Sequence, residues 1–274
     1  MIATCRHPAS GRPLCLGRRP SPADGRNLML ADYLPPQEAA EAPPELSVDW
    51  TAKAAPPAAP DGTRYGVMLN DKLGCCAIAA PAHRIQVVTG NAGSPFCPAD
   101  ADVLAAYRAV SGYDPANPAT DAGCNMLAVC KYLRATGIAG HAIGAYVSID
   151  PSRLDVARFA IRHLLAVYIG FNLPVSAQAQ IGGVWDVVHG PQGRPGTWGG
   201  HAVLASRYDW TVTPEPLIPV ITWGEDQLVT DTFFGRYCDE LWAFVSSDML
   251  NGVGENPLGE GLAELQSDLA AVAA

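Results

Sequence analysis

The sequence predicts an α+β fold, in which a helical half is followed by a half built from antiparallel strands. Helical periodicity dominates residues 76–135, whereas short β-branched or aromatic runs separated by turn residues follow Gly140. No internal repeat is present. With 274 residues, 49% of them hydrophobic, the chain can bury a sizeable core. Helices grouped before strands are typical of α+β proteins rather than of alternating α/β folds.

The composition divides the chain into four parts. Residues 1–45, rich in proline, glycine and arginine, predict a flexible tail with a short apolar anchor. Residues 46–142 hold the predicted helical half and residues 143–250 the predicted strand half. Residues 251–274 are expected to end in a surface helix over residues 260–272.

The individual elements follow from periodicity and from turn residues. The first helix, residues 76–88, is apolar nearly all round, which predicts that it is buried, and Gly90 is expected to end it. Further helices are expected at residues 100–110, 121–135 and 153–165. Strands are expected at residues 46–50, 142–149, 166–173, 184–188, 200–208, 217–222 and 242–246.

Charge and cysteine usage exclude several classes of function. A net charge of −9 with only three lysines argues against non-specific binding to nucleic acid or to an anionic membrane. No apolar run reaches the roughly 18 residues that a membrane span needs. The N-terminal arginines lack an apolar h-region, which favours a cytoplasmic protein with reduced cysteines. Cys5, His7 and Cys15 have no fourth ligand at suitable spacing, so neither a metal nor another cofactor is expected.

The segment from Asn70 to Ala80 carries the strongest chemical signal. Cys76 follows Gly74 and begins the apolar helix, and Asn70 lies six residues before it. A helix N-terminus lowers the pKa of a thiol, and a thiolate is the nucleophilic form of cysteine. The backbone N–H of Cys76 and the side-chain amide of Asn70 are suited to stabilise an oxyanion.

A histidine far along the chain is the expected partner of this thiol. His201 opens a strand-like run after Trp198-Gly-Gly and could act as an ion-pair partner and then as a general acid. His83 lies seven residues after Cys76 on the same helix, roughly 10 Å along its axis, and cannot reach the thiol. Cys75 is rotated about 100° away from Cys76 in a helix, so it is expected to pack in the core, with a redox pair as the alternative.

These motifs resemble those of the papain-like cysteine peptidases, and among them bacterial and phage C1-like members. Asn70 and Cys76 stand where that superfamily has glutamine and the nucleophile. The segment His201-Ala-Val-Leu-Ala-Ser-Arg-Tyr208 is similar to its histidine strand, and Thr222-Trp223-Gly224 to its Asn-Ser-Trp-Gly motif. The resemblance covers Ser47 to Ser247. It implies a fold of two halves with a catalytic cleft between them, and it implies thiol protease activity on a peptide or protein substrate.

The same resemblance points to residues beside the cleft. The segment that begins at Asp121 and Gly123 is similar to the one that borders the cleft in C1-like members. Trp185, Trp198 and Trp223 are the further candidates, although packing alone would also explain these tryptophans. The stretch up to Pro60 is either a short propeptide or, as its lack of a helical pattern favours, a tail and a belt packed on the core.

The third member of a catalytic triad is not evident from the sequence. The family's orienting asparagine falls at Ile221, whose side chain cannot accept the imidazole N–H. Thr222, one residue along the predicted strand, is expected to point to the opposite face. Asp209, Asp186 or Glu225 could substitute from a loop. The sequence therefore predicts a Cys76–His201 dyad.

Two further functions stay open at this stage. A catalytically silent papain-like fold that binds a peptide or partner protein would fit the isoleucine at position 221. A thiol acyltransferase would keep the chemistry and use an aspartate after the histidine, a role for which Asp209 is available.

Overall fold

The computed structural model describes residues 2–33, 45–54, 59, 61–251 and 254–258. In these ranges the α-helices are α1 (Cys76–Asn91), α2 (Asp100–Ser111), α3 (Met126–Ala135), α4 (Leu154–Leu164) and α5 (Asp231–Tyr237). The first four confirm the helices predicted from periodicity, although α3 begins five residues later than expected. The short α5 was not predicted. The helix expected over residues 260–272 lies outside the described residues.

The strands are short and come mainly from the second half of the chain. They are β1 (Thr4–Arg6), β2 (Pro13–Cys15), β3 (Arg18–Arg19), β4 (Ser47–Asp49), β5 (Cys124–Asn125), β6 (Ala145–Ile149), β7 (Val167–Leu173), β8 (Val184–Trp185), β9 (Gly199–Ala205), β10 (Arg207–Asp209), β11 (Val220–Thr222), β12 (Glu225–Val229) and β13 (Cys238–Val245). Each predicted strand region overlaps at least one of these, whereas β1, β2, β3, β5 and β12 were not predicted.

A seven-stranded sheet forms the strand half. Its order is β6-β13-β7-β9-β11-β12-β8, and every neighbouring pair is antiparallel except β12 and β8. Helix α1 packs against β9 near the middle of this sheet, which brings the two halves together. The predicted α+β class is therefore confirmed. In the described part of the chain, no helix is both long and apolar enough to cross a bilayer.

Helix α1 is enclosed by the rest of the protein. Its residues from Cys76 to Gly90 are all buried, as the absence of a polar face predicted. Gly90 was expected to end this helix, but it lies inside it, because α1 continues to Asn91. A Cβ atom at this position would lie 2.2 Å from the carbonyl oxygen of Lys53, so the glycine allows a backbone to cross the last turn of the helix.

The N-terminal residues differ most from the sequence-based expectation of a flexible tail. Strands β1 and β2 form an antiparallel hairpin, and β3 pairs with β5 in parallel. Leu14, Cys15 and Leu16 are each at most 3% exposed. These apolar residues have no packing partners near them in sequence. They pack in the groove between the two halves, which composition alone does not reveal.

A buried histidine on α1 makes stability depend on pH. Burial lowers the pKa of His83 to about 4, and its Nε2–H donates to the carbonyl of Gly66 at 2.9 Å. Because the unfolded chain binds a proton near pH 6.5 and the folded chain does not, stability is lost as pH falls below 6.5. At pH 5 this loss amounts to about 2 kcal/mol from this residue.

Urea unfolding at pH 7 and pH 5 measures that loss. In His83→Gln the amide can keep the bond to Gly66 without titrating. We expect the decrease in unfolding free energy between the two pH values to be smaller than in the wild type by about 2 kcal/mol. An equal decrease in both proteins would contradict this assignment.

Candidate active site

Cys76 is the first residue of α1 and lies at the junction of the two halves. Its side chain is buried, with the residue 1% exposed. The N–H groups of the first helical turn have no intrahelical acceptor, so they and the helix dipole favour a negative charge here. The neighbouring Cys75 is the N-cap residue, and its Sγ donates to the carbonyl of Met68 at 3.4 Å. The thiol of Cys75 is thus engaged by the loop that precedes the helix.

His201 lies on β9, the strand against which α1 packs, and is fully buried. Its Nε2 lies 2.6 Å from Oγ1 of Thr222, while its Nδ1 has no hydrogen-bond partner among the residues that the structure describes. The imidazole is therefore held through one nitrogen and free at the other.

The position of Thr222 corrects the sequence-based expectation. In the antiparallel pair of β9 and β11, Ile221 is opposite Leu204, so Thr222 follows opposite Val203. Val203 and His201 share a face because side chains alternate along a strand, and Thr222 therefore faces the histidine. The expectation that Thr222 points away was wrong because it fixed the face from one motif alignment rather than from the register of the two strands.

The loop carboxylates considered as substitutes have other partners. Asp186 accepts from the hydroxyl of Thr230 at 3.1 Å, and Asp209 accepts from the backbone N–H of Thr211 at 2.8 Å. Glu225 is exposed at the start of β12. Thr222 is thus the residue that contacts the ring of His201 through a hydrogen bond.

Trp223 covers the histidine. Its ring is nearly parallel to the imidazole, with 4.4 Å between centroids and 19° between planes. The ring centroid of Trp198 lies 5.9 Å from that of Trp223, and Trp198 is 7% exposed at the margin of the site. Trp185 is fully buried and stacks on Phe233, which makes it part of the core behind the site rather than a wall of the cleft.

Asn70 and Trp223 converge on one backbone carbonyl. Nδ2 of Asn70 donates to the carbonyl oxygen of Cys15 at 3.1 Å and to that of Leu73 at the same distance. The indole N–H of Trp223 donates to the carbonyl of Cys15 at 3.2 Å. The acceptor belongs to the N-terminal part of the chain, so these two side-chain donors are occupied by the protein itself.

The residues Pro13–Arg19, termed here the cleft segment, fill the groove between the two halves. A Cβ atom on Gly17 would lie 1.9 Å from the carbonyl oxygen of Gly74, and one on Gly200 would lie 2.3 Å from that of Arg18. On the remaining side, a Cβ atom on Gly123 would lie 1.8 Å from the carbonyl of Gly17. Backbone therefore meets backbone on three sides of the segment, at glycines that leave no space for a side chain.

Asp121 and Gly123 have different roles at this groove. The carboxylate of Asp121 accepts from the N–H of Gly74 at 3.1 Å and from the hydroxyl of Tyr107, which fixes the loop before Cys76. Gly123 contacts the cleft segment directly. The backbone N–H of the next residue, Cys124, donates to the carbonyl of Gly17 at 3.0 Å.

Burial under the cleft segment keeps the thiol and the imidazole uncharged. Burial raises the pKa of Cys76, although the nearby N–H groups of Ala202, Gly17 and Arg18 and the charge of Arg18 act in the opposite direction. Burial and the Arg18 guanidinium lower the pKa of His201 to about 3. The covered site therefore holds a thiol and a neutral imidazole near neutral pH.

A small open space remains beside the covered groups. A cavity of about 340 Å³ lies between the β1–β2 hairpin and the turn from β11 to β12, with His7, Arg12, Trp223 and Gln227 among the residues that line it. It reaches the outer side of Trp223. The groove next to Cys76 is filled, whereas this side of the site stays accessible.

The arrangement of these elements is shared with solved structures of cysteine proteases. Xylellain, a cysteine protease from Xylella fastidiosa, superposes with a TM-score of 0.61 over 84% of this chain and 96% of its own, at 18% sequence identity. The fold is that of the papain-like cysteine proteases. Digestive procathepsin L2 from the Tenebrio molitor larval midgut superposes with a TM-score of 0.53 at 14% identity, covering 82% of this chain and 76% of its own.

The structure of a plant enzyme superposes on this chain as well. The bromelain protease from Ananas comosus, solved with the E64 inhibitor, superposes with a TM-score of 0.50 at 12% identity, covering 74% of this chain and 99% of its own. No family model and no curated protein sequence matches the chain. At such low identity the superpositions establish the papain-like fold, and the chemistry depends on the residues of this site.

Proposed function

We propose that the protein is a papain-like cysteine hydrolase that cleaves peptide or amide bonds through an acyl-thioester on Cys76. The observation that carries the proposal is the state of His201, which is fixed by Thr222 at Nε2 and unpartnered at Nδ1 on the strand that α1 packs against. An imidazole oriented through one nitrogen and free at the other is the arrangement that general acid–base catalysis needs.

The proposed steps use residues of both halves. His201 takes the thiol proton, and Sγ of Cys76 forms a bond to the substrate carbonyl carbon. When the tetrahedral intermediate collapses, the carbon–nitrogen bond breaks and the imidazolium gives its proton to the leaving amine. A water molecule then attacks the thioester carbon while His201 accepts one of its protons; the carbon–sulfur bond breaks, the acid product leaves, and the imidazolium returns the proton to Sγ of Cys76. Thr222 accepts the Nε2–H and so fixes the tautomer.

The donors for the oxyanion are Asn70 and the first turn of α1. In the covered structure the amide of Asn70 donates to the carbonyl of Cys15, which supports the idea that it can bind a carbonyl oxygen at this place. The N–H of Cys76 would be the second donor, because groups of the first helical turn have no intrahelical acceptor. We infer that the carbonyl of Cys15 occupies the place of a substrate carbonyl.

A covered thiol implies a resting form. While the cleft segment lies over Cys76, the thiol and imidazole are neutral and a peptide cannot enter. Displacing the segment would hydrate both groups and remove the charge of Arg18 from His201, so the pKa of the thiol would fall and that of the imidazole would rise. Both shifts favour the thiolate–imidazolium pair that hydrolysis requires.

The covered groove also favours one second candidate function. A papain-like fold without catalysis, which binds a peptide or protein partner, would need neither an accessible thiol nor a charged imidazole. Acyl transfer has less support, because the carboxylate of Asp209 accepts from Thr211 and has no bond to His201.

Labelling with an activity-based probe distinguishes a cysteine hydrolase from a papain-like fold that binds a partner without catalysis. The wild type and a Gly17→Ala chain, in which the segment no longer fits, are treated with an epoxysuccinyl peptide probe and tested on fluorogenic peptide amides. We expect the adduct on Cys76 in mass spectra of the Gly17→Ala chain, and amide turnover that is lost when Cys76→Ala is added. Cys75→Ala is the matched control and should keep both signals.

Two outcomes would reject the proposal. One is amide turnover that persists in the Cys76→Ala protein. The other is a Gly17→Ala chain in which trypsin cuts after Arg18, showing that the segment has left, while Cys76 reacts no faster than an ordinary exposed thiol. That second outcome would favour the silent binding function.

A further inference from the structure

The side chain of Arg18 lies in an acidic pocket beside the candidate nucleophile. Its side chain is 3% exposed, although arginine is seldom fully buried. Nη1 lies 2.7 Å from the carboxylate of Asp239, and Nη2 lies 2.8 Å from that of Glu240. Each terminal nitrogen thus has its own carboxylate, on two adjacent residues at the start of β13.

The main part of this pocket is built by the folded body rather than by the cleft segment. Glu240 accepts from the indole N–H of Trp242 at 2.8 Å, a bond that does not involve Arg18. Gly170 on β7 is the register partner of Glu240 on the neighbouring strand β13, and a Cβ atom on it would lie 2.4 Å from Nε of Arg18. The glycine therefore leaves the space that the guanidinium stem fills, and within the described part of the chain Nε itself is buried without a hydrogen-bond partner.

The backbone of Arg18 ties this pocket to the chemical site. Its carbonyl packs against Gly200, the residue before His201, and its N–H and guanidinium contribute to the environment of Cys76. A peptide that replaced the cleft segment along the same groove would place one of its side chains where that of Arg18 now lies.

We propose that the pocket formed by Gly170, Asp239 and Glu240 selects a basic side chain, arginine before lysine, in the peptide that the groove accepts. The proposal rests on the function proposed above and adds its substrate class. When the cleft segment leaves, two adjacent carboxylates lose their cation, and this is costly above all for Glu240, whose side chain is only 11% exposed. A substrate guanidinium restores both contacts with its planar fork, whereas an ammonium provides one centre of charge.

Kinetic selectivity is the first test. Fluorogenic tetrapeptide amides carry one arginine at each position in turn, with leucine elsewhere, and the best series is repeated with lysine. In the Gly17→Ala chain we expect one position at which arginine raises kcat/KM at least about 10-fold over leucine, with lysine between them. Asp239→Asn and Glu240→Gln should bring that ratio close to one, and Asp100→Asn, which removes an exposed carboxylate on α2, should leave it unchanged.

A binding measurement keeps the inference testable if no amide is cleaved. The probe is a fluorescein-labelled peptide with the sequence of residues 13–19, in which serine replaces the cysteine, together with a version that has leucine at the place of Arg18. We expect the leucine version to bind the Gly17→Ala, Cys76→Ala chain at least about 10-fold more weakly. The difference should vanish in Glu240→Gln.

The outcomes separate this inference from the proposed function. Absence of turnover together with arginine-dependent binding would reject hydrolysis and retain the pocket. Turnover without a preference for arginine at any position, or a preference that survives both pocket variants, would show that the carboxylates only anchor the cleft segment. If Gly17→Ala does not fold, Arg18→Ala in the full chain opens the same pocket and serves for both measurements.

Discussion

Replacing Gly17 by alanine is expected to raise the labelling rate of Cys76 at pH 7 by about 100-fold. The new Cβ atom would overlap the carbonyl oxygen of Gly74 at 1.9 Å, and that carbonyl belongs to a backbone held by Asp121. Because neither side can give way without moving main chain, the cost falls on the closed form. Overpacking of this kind costs roughly 1–3 kcal/mol, and about 2.7 kcal/mol corresponds to the expected factor.

The measurement combines a thiol-reactive probe with brief trypsin digestion. Gly25→Ala is the matched control, since a Cβ atom there meets nothing within 4 Å. In the wild type and in this control, labelling should increase mainly at alkaline pH, because burial raises the pKa of Cys76 and the thiolate forms only above that pKa. A folded Gly17→Ala protein that labels as slowly as the wild type would contradict the shielding role of the cleft segment.

Replacing Thr222 by valine is expected to lower kcat/KM of the Gly17→Ala chain by about 10- to 100-fold. Valine keeps the shape of threonine and removes the hydroxyl that lies 2.6 Å from Nε2 of His201. The imidazole then loses its bonded partner and the preference for one tautomer, and a buried polar group left without a partner costs about 1–3 kcal/mol. Thr222 is a positioning residue, so we expect the loss in kcat rather than in KM.

Rescue by a conservative change separates positioning from packing. Thr222→Ser restores the hydroxyl with a smaller side chain, and we expect it to recover most of the lost rate. The pH profile supplies a second readout, because an imidazole without this acceptor should shift the pKa that governs kcat/KM. If valine and serine reduce the rate equally and leave the profile unchanged, the hydroxyl does not orient His201.

The sequence predicted the fold class because the strongest signals in it are local. Helix α1 is apolar nearly all round, and β7 and β9 are mostly apolar, so their burial follows from composition within a few residues. Thr222 was harder to place, because its direction depends on the register between β11 and β9, and a shift of one residue exchanges the two faces of a strand.

The cleft segment could not be predicted for a related reason. Its strands have two or three residues, and its stability comes from Gly74, Gly123 and Gly200, which lie far away in the sequence. A segment rich in arginine, proline and glycine is typical of disordered chain. Its order depends on distant residues, since Arg18 forms ion pairs with two carboxylates of the folded protein. The short apolar run Leu14-Cys15-Leu16 was the local hint of an ordered, buried segment.

The cleft segment belongs to the same polypeptide as the groove it fills. Its effective concentration at Cys76 is therefore fixed by the connection and does not change when the protein is diluted. A separate inhibitor of equal contact strength would dissociate at low concentration, whereas this segment stays in place until the chain is cut or rearranged. We expect the extent of shielding to be independent of protein concentration, so that control of the site depends on events acting on the chain itself.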